Sequence, residues 1–426
     1  MGSLVLKGIS ILTTLLLVPA TIGYVNAELY GVWLTLASTM TWLSFADIGF
    51  TQGLKNKLTE AIAHEDWDKG KSLVSTTYFM MFLIFIPLCI ILELLVPLVN
   101  WTTLLNVNSQ YSEEIVKVMY VLVAFTCLQM IVNVIVSVIA AFQKVALSNS
   151  FYVLGNVLSL GIIYILRVTV PPSLIALSFA ISAMPMLIMI IATFFLYSGK
   201  FKIVSPSLQS INSSYIKEII GLGYKFFIIN IQVLVLYQST NVLIAFVSTP
   251  TDVTNYNIAY KLLNCAMMVY TIITAPLWPA YTDAYAKGDY RWMKEMKKNM
   301  VRILFLSIMG CIVLILLSPF LYRVWVGSNV NIPFEWSLLV GLYVIVYCCQ
   351  NLNGTLLVAM SKIKLNVIIL TLGMVTHLPL SLVLSKWIGC YAVIVSMIVI
   401  TLIYAVVYQI QVNKLLNQKA YGIWNE

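Results

Sequence analysis

The chain has 426 residues, 61% of them hydrophobic and only 10% charged, with a net charge of +9 and a mean hydropathy of +0.95. Soluble domains hold roughly 45–50% apolar and about 25% charged residues, so a cytosolic enzyme, a secreted disulfide scaffold and a disordered chain are excluded. A spanning helix needs about 20 apolar residues, so about twelve spans with short connections use the whole length and leave no room for a large soluble domain.

In chain order the apolar runs fall at 4–25, 30–50, 73–99, 116–142, 147–166, 173–197, 219–248, 253–280, 301–321, 338–360, 365–386 and 389–412. They are read as helices because lipid leaves no partner for unpaired backbone, and a barrel would show short alternating segments instead. The first run lacks a small-residue cleavage site and is expected to be a span, not a cleaved signal. With the N-terminus inside, 19 Lys and Arg fall in cytoplasmic segments and 4 in outer ones. That bias orients the chain with both termini cytoplasmic. It also accounts for the positive charge without nucleic acid as a partner. The seven cysteines lie in apolar stretches with no Cys-x-x-Cys pair, and the two histidines are far apart. No disulfide framework, metal site or cofactor is therefore expected.

The chain repeats itself. EAIAHEDWDKGK (60–71) aligns with DAYAKGDYRWMK (283–294) at an offset of 223, and AAFQKVALSNSFYVLGN (140–156) aligns with VAMSKIKLNVIILTLGM (358–374) at an offset of 218. Six spans per half preserve orientation, so the repeats are parallel, related by an axis along the membrane normal. The expected organisation is an all-α polytopic membrane protein of two pseudo-symmetric six-helix lobes, 1–200 and 219–426. A polar, Ser-rich cytoplasmic linker at 201–218 joins them. The segments 55–72 and 283–300 read as basic amphipathic pieces on the inner surface, with Asp66 and Asp289 capping short helices there.

Ionisable and amide groups inside spans are costly and usually face a cavity. In the second span Asp47 shares a helical stripe with Ser44, Thr51 and Lys55. Two readings stand: a carboxylate that binds H+ or Na+, or a structural group paired with Lys55 or Lys57. In the seventh span Lys225, Gln232 and Ser239 form one stripe, and Asn230, Tyr237 and Asn241 another. In the eighth, Asn257, Lys261, Asn264 and Thr271 share a stripe, with Lys261 about 12 Å in from the outer end at the α-helical rise. A lysine so placed needs water or a polar partner, so this face is expected to line a cavity. Arg167 sits at the outer boundary of the fifth span, suited to a cavity mouth. His377 reads as a packed histidine beside Pro379, and Trp33, Trp42, Trp101, Trp278, Trp325, Trp336 and Trp387 as an aromatic belt. No Gly-rich phosphate loop is present, which argues against transport driven directly by ATP.

The pieces KGIS (7–10), LLLVP (15–19), YGVW (30–33), DIGFTQGLKNK (47–57) and PLWPAYTDAYAKGDYRWM (276–293) resemble those of O-antigen or capsule polysaccharide flippases of the Wzx type. These belong to the multidrug/oligosaccharidyl-lipid/polysaccharide exporter superfamily. The similarity spans most of the chain and is strongest over 7–75 and 253–300. One departure is Lys55, where relatives often carry Arg. The resemblance implies two six-helix lobes around a central cavity lined by helices 1, 2, 7 and 8. It implies a flippase, not an enzyme, in the bacterial inner membrane. The substrate would be an undecaprenyl-diphosphate-linked oligosaccharide moved from inner to outer leaflet. The partners would be the bilayer and polysaccharide assembly proteins. On energetic grounds the membrane potential is expected to pull a diphosphate outward, with H+ or Na+ antiport adding to it. A multidrug-type antiporter is the nearest alternative. An O-antigen polymerase or ligase is a more distant one, since the outer connections are short and poor in catalytic groups.

Overall fold

The structure is a computed structural model that describes residues 2–274, 277–327 and 330–425, with side chains described outside 2–5, 145 and 221–237. It is all-helical among the described residues and divides into two compact units, Met1–Leu234 and Val235–Glu426.

The first unit holds α1 (Gly2–Val25), α2 (Ala27–Thr41), α3 (Phe50–Ala63), α4 (Trp67–Leu95), the short α5 (Trp101–Leu105), α6 (Ser112–Val132), α7 (Val134–Ala141), α8 (Val145–Thr169) and α9 (Leu174–Ser198). It also takes in the start of α10 (Ser214–Val247). The second unit continues α10 and adds α11 (Pro250–Thr274), α12 (Leu277–Ala286), α13 (Tyr290–Trp325), α14 (Phe334–Ala359), α15 (Lys364–Ile388) and α16 (Ala392–Leu416). Most expected spans fall on one of these helices, with the α6–α7 pair filling 116–142, whereas 30–50 takes in α2 and the residues up to the start of α3, and 253–280 takes in parts of α11 and α12. Nine helical runs among the described residues are long and apolar enough to cross a membrane, the last of them, Lys364–Leu416, taking in both α15 and α16.

The repeat is written into the backbone hydrogen bonds. In the first unit Glu65 takes a left-handed φ of 57°, Asp66 N–H bonds Ala61 O at 2.9 Å, and the Asp66 carboxylate accepts Lys69 N–H at 3.0 Å. In the second, Gly288 has φ 69°, Asp289 N–H bonds Ala284 O at 2.9 Å, and the Asp289 carboxylate accepts Trp292 N–H at 2.9 Å. Each is a helix end with a left-handed residue followed at once by an N-cap. The later pair matches too: Gln143 at φ 58° and Ser361 at φ 57° each follow a helix whose carbonyls they and the next residue close upon.

Several expectations need correction. Asp66 and Asp289 do not cap short surface helices. They cap α4 and α13, of 29 and 36 residues, which run on as the third and ninth spans. The separate amphipathic piece is α3, which buries Phe50, Gly53, Leu54, Leu58 and Ala61. The second span is not one helix. Its α-helical part stops at Thr41, a 3-10 turn covers Trp42–Asp47, and Ile48 and Gly49 are both left-handed, at φ 49° and 83°. Trp336 is not a belt residue: it is fully buried against Tyr256 and Tyr391. The stretch read as a linker packs on α4 in the first unit. Phe201 and Val204 are buried, Ser207 N–H bonds Ser75 Oγ at 3.0 Å, and Asn212 N–H bonds Thr76 Oγ1 at 3.0 Å.

Between lipid-embedded helices water is absent on both sides of the balance, so close packing and small residues hold the bundle together. Gly53 shows this: a Cβ there would lie 2.1 Å from the Ile219 carbonyl oxygen, so only glycine lets α3 meet α10 backbone to backbone.

Candidate functional site

In the second unit α11 is an unbroken helix over Pro250–Thr274, so the spacing of Asn257, Lys261, Asn264 and Thr271 does place them along one face. Asn257 is buried at the start of that face. Its amide donates to Asn241 Oδ1 at 2.8 Å and to the Val253 carbonyl at 2.8 Å. The first bond ties α11 to α10 and brings together two residues that the sequence put on separate stripes. Lys261 is half-buried midway along α11, its carbonyl accepting the Cys265 thiol at 3.5 Å. Asn264 Oδ1 is buried one turn further on and bonds to no described residue. The rings of Tyr256 and Tyr260 lie tilted at 34° to each other beside this row, with centroids 5.7 Å apart. An amide pair, an ammonium and a second amide along about 10 Å of helix make a surface suited to hydroxyls and anionic oxygens. The side chains of Lys225 and Gln232, the other two candidates of this region, lie outside the described residues.

In the first unit Asp47 is placed by the break in the second span. The reversal at Ile48–Gly49 folds its half-buried carboxylate onto the next helix. There it accepts Thr51 N–H at 3.1 Å and Thr51 Oγ1–H at 2.6 Å. It thus satisfies an N–H of the first turn of α3. The expected stripe with Ser44 and Lys55 does not form, because residues 42–49 are not α-helical. Lys57, the other expected partner, bonds Glu60 at 2.9 Å and Glu218 at 3.2 Å instead.

Glu218 escaped the sequence reading. It lies in the first turns of α10, 3.2 Å from Lys57 of α3 and 3.1 Å from Lys69 of α4, so one carboxylate joins three helices. Partial burial raises its pKa, but hydrogen bonds from Lys69 and Lys57 outweigh this and hold it below the usual value. Lys57 is raised, chiefly by its bond to Glu60. The partners are some 150 residues away in sequence, so no local pattern announces the pairing.

Arg167 lies in the last turn of α8. It is exposed, and its guanidinium lies against Gly23 of α1, 3.3 Å from where a Cβ would stand. Nearby, Tyr24 OH donates to Pro171 O at 3.0 Å, and Glu114 accepts Leu174 N–H at 2.8 Å at the start of α9. His377 is fully buried within unbroken α15, its Nδ1 3.0 Å from Ser396 Oγ, which is the packed role read from the sequence.

No family model matches the chain. A curated protein of Salmonella typhimurium named "Putative O-antigen transporter" is 22% identical over 358 residues, covering 81% of this chain and 79% of that one. An inward-facing multidrug resistance MATE family transporter of the MOP superfamily superposes with a TM-score of 0.80 at 11% identity, over 98% of this chain and all of the other. The outward-facing form of such a transporter gives 0.66 at 12% identity over 98% and 96%, and a MATE structure in the straight conformation gives 0.65 at 12% over 97% and 94%. The chain therefore has the fold of the MATE transporters of the MOP superfamily, the superfamily its sequence resembles.

Proposed function

We propose that this protein is a flippase, not an enzyme, that moves an undecaprenyl-diphosphate-linked oligosaccharide from the inner to the outer leaflet of the bacterial inner membrane by alternating access. The observation that carries the reading is the polar row Asn241–Asn257–Lys261–Asn264 on α10 and α11, within a MATE-type fold. A relative named for O-antigen transport supports the choice of glycan over drug. A hydrated glycan and a diphosphate cannot cross hydrocarbon unaided. Amides offer hydrogen bonds to sugar hydroxyls, and Lys261 offers a point charge to the diphosphate. Lys225, Gln232 and Arg167 are proposed as further residues that meet the substrate.

Moving one charge through 100 mV is worth about 2.3 kcal/mol. A diphosphate of charge about −2 leaving a negative interior thus gains about 4.6 kcal/mol. Antiport of H+ or Na+ adds to this, with Asp47 the proposed carboxylate. The test is complementation of a strain lacking its own flippase, scored by surface glycan. Lys261→Ala abolishes surface glycan at normal membrane levels, and Lys261→Arg retains more of it than Ala. Normal surface glycan with Lys261→Ala removes this site from the proposal. The competing reading, cation-coupled drug export, predicts instead that the protein lowers cellular accumulation of cationic dyes.

A further inference from the structure

Two adjoining cavities lie between α13, α14 and α16 in the second unit, sharing Val301 and Gln409. One, of about 280 Å³, is lined by Lys294, Lys297, Lys298, Gln409, Asn413 and Asn417 among others. The next, of about 350 Å³, is apolar apart from Asn353 and Gln409, with Val301, Leu304, Leu352 and Val406 in its walls. The pair has a cationic end and a hydrocarbon end, and neither lining holds an Asp or Glu.

The cationic end is built, not incidental. Lys297 is only 9% exposed, and its ammonium donates to Asn413 Oδ1 at 3.1 Å. Gln409 donates to the same oxygen at 3.0 Å and in turn accepts from Asn353 at 2.9 Å. The chain Lys297–Asn413–Gln409–Asn353 pins three helices. Asn413 Oδ1 already takes two donors, and its bond with Lys297 uses one of the three N–H groups of the ammonium. Holding a cation this deep against a neutral amide is costly without an anion nearby. Lys294 and Lys298 are exposed beside it. All three lie within the first three turns of α13, at the end that the charge bias puts in the cytoplasm. Val301, Val406 and Ile410 are 46%, 51% and 41% exposed, so the apolar chamber opens to the bilayer.

We infer that this cleft binds an anionic glycerophospholipid of the inner leaflet. Its phosphate lies on Lys294, Lys297 and Lys298, and one acyl chain lies along the apolar chamber. The charge of the cleft selects the head, and its opening lets the lipid enter sideways. The inference does not depend on what the protein transports.

The test is native mass spectrometry of the full-length protein in detergent, titrated separately with dioleoyl phosphatidylglycerol, dioleoyl phosphatidylcholine, the soluble headgroup glycerophosphoglycerol, and undecaprenyl phosphate. Phosphatidylglycerol should be retained at one copy, more tightly than the other three. Each basic residue near an anionic surface contributes about fivefold in affinity, so the surface variant Lys294→Gln/Lys298→Gln should bind it roughly 25-fold more weakly. Lys297→Gln should weaken it further, and Val406→Trp, which covers the chamber from outside, should lower retention while sparing the lysines. Equal retention of phosphatidylglycerol and phosphatidylcholine would overturn the proposal, as would unchanged binding by the Lys294/Lys298 variant, which leaves every buried group in place. Competition by the free headgroup as strong as by the whole lipid would mean an anion site without a chain site. Displacement by undecaprenyl phosphate at equal or lower concentration would assign the cleft to the carrier instead.

Discussion

Asp47 shows how one residue's role turns on its local backbone. On a continuous helix it would face Lys55. With Ile48 and Gly49 left-handed it folds back and bonds Thr51 twice. Asp47→Ala should therefore destabilise the protein by about 1 kcal/mol, the usual cost of removing a side chain that caps a helix, read as a lower melting temperature in detergent. Asp47→Asn keeps an acceptor for the Thr51 N–H and should cost less. If Asp47 carries the coupling ion, the Asn protein remains folded but its transport in sealed vesicles no longer responds to an imposed pH or sodium gradient. Unchanged gradient dependence would end that role. Glu218 makes a different prediction, one of pH. Its carboxylate is held below its ordinary pKa by Lys69 and Lys57. The stabilisation is thus present above the unfolded-state value near pH 4.5 and is lost as pH falls through the lower folded-state value. The side chain is 28% exposed, so the effect is that of a solvent-screened pair, about 1 kcal/mol at most. Glu218→Gln should lower the melting temperature at pH 7 and leave it little changed near pH 3.5. An equal loss at both pH values would mean that packing, not charge, is what Glu218 supplies.

At the scale of the element, most of the spans were legible because they are long apolar runs, for which lipid allows no other spanning conformation. The caps at Asp66 and Asp289 were legible for a local reason: an Asp before a helix-forming stretch accepts its first free N–H groups. What could not be read was where helices break. Nothing in the apolar count of 30–50 separates an α-helix from a 3-10 turn, and the left-handed pair Ile48–Gly49 includes a β-branched residue that disfavours that conformation. The polar stripe of α11 was legible because the helix is continuous. Its bond to Asn241 was not, because a contact between helices leaves no trace in the spacing of either. The repeated cap also allows a paired prediction. The equivalent turn residues Glu65 and Gly288 are both left-handed. Glu65→Gly should raise stability by up to about 1 kcal/mol and Gly288→Ala should lower it by a similar amount, measured as opposite shifts in melting temperature. Shifts of the same sign would show that the two turns are not equivalent in energy as they are in hydrogen bonding.

For the whole molecule, the charge bias predicts an orientation with both termini cytoplasmic. Single cysteines at Lys200 and Lys287, in a background without native cysteines, should resist an impermeant thiol reagent in intact cells, while cysteines at Ser109 and Lys386 should react; all four positions are exposed. The reverse pattern would invert the topology. The central claim is that the chain moves a lipid-linked glycan across a bilayer. Its most direct measurement places the purified protein in sealed vesicles that carry undecaprenyl-diphosphate-linked oligosaccharide in the inner leaflet only. Arrival of the glycan outside is followed with an impermeant glycosidase. The account predicts cleavage that grows with time, depends on the protein, speeds up when the potential favours outward anion movement, and is lost in Lys261→Ala. Cleavage no faster than in protein-free vesicles, or unaffected by both the potential and Lys261→Ala, would contradict it.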